Sequence, residues 1–321
     1  MRVYCLGELM LDMIGEELEE SGPAVFRRFA GGAAGNVAAG LSKLGVAASF
    51  LGRVSSDAFG SYLLHTLNRY GVDTTHVVRD PNGLTTLAFV SHDQDKLPHY
   101  LFYRENSASV QFCLDDLSGV EFRPCDALYF SSLSLAHEPI RTANFAAAER
   151  ANQAGAPVAF DPNVRLGVWK CAQEARAQIL KMIERIDILK VNDEELQFLF
   201  GTGDRLSLCL DVLQKFPRIR LIAVTLGKEG ADLVNREGEY IHAPSAAVPV
   251  VDTCGAGDTF LAALLKQYLI MGGLRGNALR MAAAYANAAA HITSLKKGVI
   301  PAMPTEKDIA RFMNAHSGEC I

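Results

Sequence analysis

Six short apolar runs alternate with amphipathic stretches along most of this chain, and that alternation leaves few folds open to it. The runs are 3–6 (VYCL), 48–54 (ASFLGRV), 127–132 (ALYFSS), 157–161 (PVAFD), 187–191 (DILKV) and 221–227 (LIAVTLG). Most are apolar without a break, as strands covered on both faces are. The stretches 34–44, 57–70, 139–154, 172–186 and 204–216 carry apolar residues at helical spacing. This order predicts βαβ units, hence an α/β fold with a doubly wound, mainly parallel central sheet flanked by helices. Ligands of such sheets gather beyond the carboxyl ends of the strands, so chemistry is expected in the loops after each run. Segments 12–30 and 84–104 break the rhythm, reading as strands of alternating character with no helix between them. They predict a small antiparallel β-strand lid, or else a plain edge hairpin. No repeat, low-complexity segment or long linker divides the chain, so residues 1–321 are expected to form one domain with the lid inside it.

Composition narrows the function classes. Apolar residues make up 49% of the chain and charged residues 21%, ample for a large core. A net charge of −5 with no basic cluster argues against a nucleic-acid partner, so an anionic ligand must be held by local groups. Glu8 and Asp12 interrupt the apolar N-terminal stretch, which reads as a buried first strand rather than a signal peptide. No run of eighteen apolar residues is present, so no membrane partner is expected. Seven scattered cysteines without a C-x-x-C pair predict neither a disulfide framework nor a zinc site, and a reducing cytoplasm is the natural setting.

Two glycine-rich helix starts carry the chemistry. In DTCGAGDTFLAAL, 252–264, the small residues Gly255, Ala256 and Gly257 let backbone amides approach a ligand at the positive end of a helix. Such a turn is an anion hole for phosphate oxygens. Asp258 would only repel a phosphate there, unless it takes the proton from a hydroxyl attacking that phosphate. An acid in a helix's first turn is also common without any such role. In FAGGAAGNVAAG, 29–40, Gly31 and Gly32 let amides meet a polyol, and Asn36 has both donors and an acceptor for hydroxyls. The G-x-G-x-x-G spacing of a dinucleotide site is absent.

GGAAGNVA and DTCGAGDTFLAALL together resemble the two signatures of the ribokinase-like (PfkB) carbohydrate kinases, in the same order, and the likeness extends over essentially the whole chain. The resemblance implies an ATP-dependent kinase in which Asp258 is the base and 255–257 the anion hole. It places Asp12, Gly31, Gly32, Asn36, Arg104 and Arg165 at the sugar. It places Asn192, Thr225, Gly227, Gly230 and Asn287 at ATP, and Glu195 at Mg²⁺ through water. The N-D-E-E sequence holding Asn192 and Glu195 is equally a helix cap with an acidic first turn, and VTLGKEG a turn between strands. A K⁺ site is implied on Asp252, Cys254, Thr293, Lys296, Gly298 and Ala302, mostly through backbone carbonyls. A homodimer through the lid is implied as well. Within the family, HYLFYRENSAS and FDPNVRLGVW are most similar to fructokinases, with 2-keto-3-deoxygluconate kinases the nearest rivals because Arg104 could meet a carboxylate. Ser134 stands about where ribokinases carry a sugar-binding glutamate. Further alternatives are a nucleoside kinase of the same fold and a sugar-binding protein without catalysis.

Overall fold

The computed structural model of the chain describes residues 1–16, 25–92, 98–246 and 250–316. The chain opens on β1 (Val3–Leu6), buried throughout, and passes through β2 (Met10–Glu16) and β3 (Val25–Gly31) into α1 (Ala33–Lys43). Next come β4 (Ala48–Ser55), α2 (Ala58–Arg69), β5 (Val77–Asp80), β6 (Thr86–His92) and β7 (Pro98–Tyr103). The regular alternation then runs through β8 (Ala127–Ser131), α3 (Ile140–Gln153), β9 (Val158–Asp161), α4 (Ala172–Ile183) and β10 (Ile188–Asn192). It continues with α5 (Asp193–Phe200), α6 (Arg205–Lys215) and β11 (Leu221–Thr225). A hairpin of β12 (Ala231–Asn235) and β13 (Tyr240–Ala243) precedes α7 (Ala256–Met271), α8 (Gly276–Ser294) and α9 (Glu306–Ala315).

Nine strands form the main sheet in the order β13-β12-β11-β10-β9-β8-β1-β4-β5. Pairing is parallel from β11 to β5 and antiparallel in the β11-β12-β13 margin. The doubly wound, mainly parallel sheet expected from the sequence is the one observed. From β1 the chain first builds outward through β4 and β5, then returns to β8 on the other side of β1 and builds the opposite way. The switch point of the sheet therefore lies between β1 and β8, where ligands of open α/β sheets bind.

The pleat sends alternate residues into two cores. Val3, Cys5, Phe50 and Tyr129 join the cluster under α1, α7 and α8, while Tyr4, Leu6, Leu51 and Phe130 join the cluster under α3, α4 and α6. Strands buried on both faces read as unbroken apolar runs, which is why the sequence shows them so plainly.

A second sheet, in the order β3-β2-β6-β7, is the small lid. It differs from expectation in one respect, since β2 and β6 at its centre pair in parallel, Asp12 opposite Ala88, rather than antiparallel. Both strands follow closely on parallel strands of the main sheet, β1 and β5, and so set out in the same direction. The inward and outward faces of β7 are distinct: Tyr100 and Phe102 stack 5.8 Å apart on one face, while Leu101 and Tyr103 on the other are 58% and 59% exposed.

Candidate active site

Two helix starts without side-chain caps meet over the switch point. Gly255, the residue before α7, adopts the left-handed conformation at φ 76°, and a Cβ there would lie 2.1 Å from Val299 Cγ1. Only glycine fits this turn. The amides of Gly255, Gly257 and Asp258 have no hydrogen-bond acceptor among the described residues, so they are free to meet an anion at the positive end of a 16-residue helix. Ala256 differs from its neighbours: its amide turns back to Thr253 O at 3.2 Å and the residue does not line the cavity. At the start of α1, Gly32 has φ 97° and a Cβ there would lie 2.3 Å from Glu8 O; one on Gly31 would fall 1.9 Å from Asp12 Oδ2.

One hydrogen bond joins the two helices. Asn36 Nδ2 donates to Asp258 Oδ2 at 2.8 Å, while Asn36 Oδ1 is buried without a partner. Asn36, expected to meet a polyol, therefore also aims the carboxylate. Close packing makes the bond reachable, because a Cβ on Gly40 of α1 would stand 3.1 Å from Ala262 Cβ of α7.

Around this bond lies a cavity of about 200 Å³. Asp12, Gly32 and Asn36 line it from one side, Gly255, Gly257 and Asp258 from another. Ser131, Asp161 and Lys190 come from the carboxyl halves of β8, β9 and β10, with Asn163 and Arg165 just beyond β9. Tyr100 and Phe102 close it from the lid. The Arg165 guanidinium sits 4.9 Å over the Tyr100 ring, and the Tyr100 hydroxyl stands 3.9 Å from Cys254 Sγ. Sequence reasoning missed Tyr100, Phe102, Ser131, Asp161, Asn163 and Lys190. The plainest available signal was Lys190, a lone cation inside a doubly covered strand, because lysine is rarely fully buried without a partner.

Burial sets the electrostatics. Removal from water pushes the Asp258 carboxyl up to about 6, with the Asn36 hydrogen bond favouring its charged form and Asp161 opposing it. Asp12 is pushed up to about 7, by burial first and then by Asp258, with Arg165 acting the other way. Burial likewise raises the Cys254 thiol to about 12, so this cysteine is no thiolate nucleophile at neutral pH.

The remaining expected residues fall into three groups. Arg104 does not line the cavity: it is 8% exposed and ion-paired with Glu8, whose second oxygen accepts from Ser109 Oγ at 3.2 Å. Of the residues expected at ATP, Asn192 and Thr225 are register partners at the carboxyl ends of β10 and β11. Gly227 (φ 57°) and Gly230 (φ 103°) form the turn after β11, and a Cβ on Gly230 would lie 2.0 Å from Ala243 O. Asn287 Nδ2 donates to Ala243 O at 2.7 Å. None of these five lines the cavity. Asn192 and Glu195 form a reciprocal helix cap, and Glu195 also accepts from Val164 N at 2.7 Å. Among the described residues no three acids, histidines or cysteines cluster as a metal cage. Of the expected K⁺ ligands, Asp252 accepts from the amides of Cys254 (2.9 Å) and Gly298 (3.2 Å), Lys296 N donates to Thr293 O at 3.4 Å, and Ala302 N to Val299 O at 3.1 Å. The loop before α7 is thereby tied to 293–302.

The Asn36–Asp258 bond predicts a titration. Asp258 should titrate near 6 by carbon-13 carboxyl NMR. Asn36→Leu removes a donor to the charged form, so the midpoint should move to higher pH. An unchanged or lowered midpoint would refute the aiming role.

Comparison with known proteins places this arrangement. The model of the pfkB family carbohydrate kinases matches residues 1–306. Fructokinase-1 of Zea mays is 37% identical over 319 residues, covering 97% of each chain. A double mutant of the fructokinase from Vibrio cholerae O395, solved with fructose, ADP and a potassium ion, is 30% identical with a TM-score of 0.88 over 97% of both chains. The Xylella fastidiosa fructokinase solved with bound ATP is 27% identical with a TM-score of 0.87, covering 98% of this chain and 99% of that one. This chain belongs to the pfkB family of carbohydrate kinases.

Proposed function

We propose that the protein transfers the γ-phosphoryl group of ATP to a sugar hydroxyl, and that the sugar is D-fructose, giving fructose 6-phosphate. One observation carries the reading: Asp258, held by Asn36, shares a polar cavity with the unpartnered amides of Gly255 and Gly257. Asp12, Asn36 and Arg165 suit sugar hydroxyls, since carboxylate, amide and guanidinium together accept and donate. The hydroxyl oxygen bonds to the γ-phosphorus as its proton passes to Asp258, the bond between that phosphorus and the bridging oxygen breaks, and ADP leaves. Amides of the anion hole meet the charge that develops on the phosphoryl oxygens. Tyr100 and Phe102 exclude water, which would otherwise compete as acceptor. The family resemblance assigns ATP to Asn192, Thr225, Gly227, Gly230 and Asn287, with Asn192 and Thr225 side by side at the ends of β10 and β11.

The ions follow from donor chemistry. Asn192 and Glu195 offer oxygens suited to a hard ion that keeps most of its water, which fits Mg²⁺ held mainly by phosphates and screening their charge. Backbone carbonyls of 252–254 and 293–302 suit K⁺ beside the anion hole, which would steady the turn at Gly255.

Arg104, the residue read as meeting a keto-acid carboxylate, is ion-paired with Glu8 and does not line the cavity, so it gives the keto acid no support over fructose. The Vibrio cholerae relative holds fructose and ADP, which supports fructose as the substrate. An ADP-release assay over fructose, 2-keto-3-deoxygluconate, ribose and adenosine tests it. Fructose should give the highest kcat/KM, and Asp258→Asn should lower kcat by about 10²–10⁴-fold with sugar binding retained. A higher kcat/KM on the keto acid would overturn the substrate, near-normal kcat in the variant would overturn the base, and no release with any acceptor would make the chain a binder.

The outer face of the lid supports a homodimer. Phe26, Phe89 and Tyr103 form an edge-to-face row with centroids 5.2 and 5.6 Å apart, and Val25, Phe26, Leu101 and Tyr103 are all exposed. A contiguous apolar patch of this kind marks an interface. A cytoplasmic setting suits the scattered cysteines of the sequence, which lack a C-x-x-C pair. Light scattering at micromolar concentration should give twice the chain mass, and Leu101→Glu should halve it; a wild-type monomer would refute the dimer.

A further inference from the structure

Four arginines gather at the amino ends of the strands, opposite the active site, where phosphoryl transfer has no use for them. Arg218 and Arg220 precede β11, Arg236 follows β12 and Arg275 precedes α8. Leu221 pairs with Asn235, so one step further Arg220 stands across from Arg236, and Arg236 N donates to Arg220 O at 2.8 Å. Like charges facing each other across antiparallel strands repel, so the arrangement is unfavourable until something anionic offsets it.

Two cavities open here, of about 620 and 450 Å³, and they share Arg220, Tyr268 and Gly272, so they form one groove past the end of α7. Arg220, Arg236 and Arg275 line the larger part, Arg218 and Arg220 the smaller. Against these four arginines the lining sets two carboxylates, Asp187 and Glu237, in a chain whose net charge is −5. Asp187 Oδ2 already accepts from Val158 N at 2.9 Å and from Arg218 at 3.2 Å, and its Oδ1 stands 3.6 Å from Arg220 Nε, too far for a hydrogen bond. Glu237 pairs with Arg275, and both are exposed. Arg236 donates to Leu213 O and Phe216 O, as a cation at the end of a helix does. Arg220 instead lies by the Tyr268 phenol, whose ionisation it favours against burial, and Arg218 Nε is enclosed without a partner.

We propose that this groove binds a small molecule carrying two oxyanion groups, phosphate or carboxylate, at a site separate from phosphoryl transfer. Guanidinium forks match either group by two-point contacts. Two groups are called for because the arginines outnumber the carboxylates by two and stand in two sets, Arg218 with Arg220 and Arg236 with Arg275. Tyr268, 7% exposed, is common to both parts, and Leu274 adds an apolar wall to the larger one. That part falls within the size of small-molecule sites, about 300–1,000 Å³. An arriving anion breaks no carboxylate hydrogen bond of Arg220, and at Arg275 it replaces only an exposed ion pair, which is worth little. The groove and the anion hole lie at opposite ends of α7, about 24 Å apart by the rise of its 16 residues.

Calorimetry on the full chain, at about 0.15 M salt so that loose surface attraction is screened, tests this with fructose 1,6-bisphosphate, citrate and inorganic phosphate. One molecule of the bisphosphate or of citrate should bind per chain, more tightly than phosphate, and the tighter of the two tells phosphate from carboxylate recognition. Arg220→Ala should weaken that binding by about tenfold or more, the scale of one hydrogen bond to a charged group. Arg275→Ala should weaken it less. Arg69→Ala, which removes an exposed arginine of α2, should leave it unchanged. Arg220 is itself exposed, so its variant should fold, and an unaltered circular dichroism spectrum and urea midpoint check that. Binding unchanged in Arg220→Ala would put the anion elsewhere, the anion hole at Gly255 included, and overturn the site. Equal losses in Arg69→Ala would reduce it to bulk charge, and no binding of any of the three probes would overturn it outright. None of these outcomes depends on whether the protein phosphorylates a sugar, which the ADP-release assay decides by itself.

Discussion

The hydrogen bond from Asn36 to Asp258 spans 222 residues of sequence and fixes the relative placement of everything around it. It holds the starts of α1 and α7 against each other, and those starts carry the residues suited to a polyol and the amides suited to a phosphate. Small residues make it possible, because Gly40 and Ala262 bring the two helix axes close enough for an asparagine to reach. The bond also works against burial. Raising a carboxyl from its ordinary 3.8 to about 6 corresponds to about 3 kcal/mol in favour of the neutral acid. A donor on the charged form limits that rise and leaves a base near neutrality, where proton transfer from a hydroxyl is best matched.

A second buried pair organises the lid's attachment. Glu8 lies between β1 and β2, and Arg104 follows β7 directly, so their ion pair joins the lid's first and last strands at its root. Such a pair is costly to desolvate, and removing one partner would leave a buried charge. The same pairing ties Arg104 to the root of the lid, outside the cavity lining.

The parts of the fold legible in sequence were those with one strong cause. Strands β1, β4, β8, β9, β10 and β11 are covered on both faces, and their apolar runs say so. β5, β12 and β13 lie toward the sheet's margins and are short, and α5 is an eight-residue helix whose capping sequence could equally serve a ligand. Those signals compete within a few residues. Among the site residues, glycines and Asp258 stood out because their motifs combine backbone freedom with charge. Tyr100 and Phe102 did not, since aromatic alternation in a strand is mostly a packing signal. Lys190 was legible in principle, but its partner Asp161 is brought beside it only by the fold.

Gly31 touches nothing with a side chain of its own, and Asp12 occupies the volume where one would be. The carboxylate at 12 and the bare Cα at 31 are therefore one unit of inheritance. A descendant that gained any side chain at 31 would have to surrender the acid or shift its strand, and neither step is a single small move. In a random mutagenesis library, position 31 should be as intolerant as the acid it accommodates, although no ligand need ever contact it. Part of what this chain passes on is an emptiness of fixed shape.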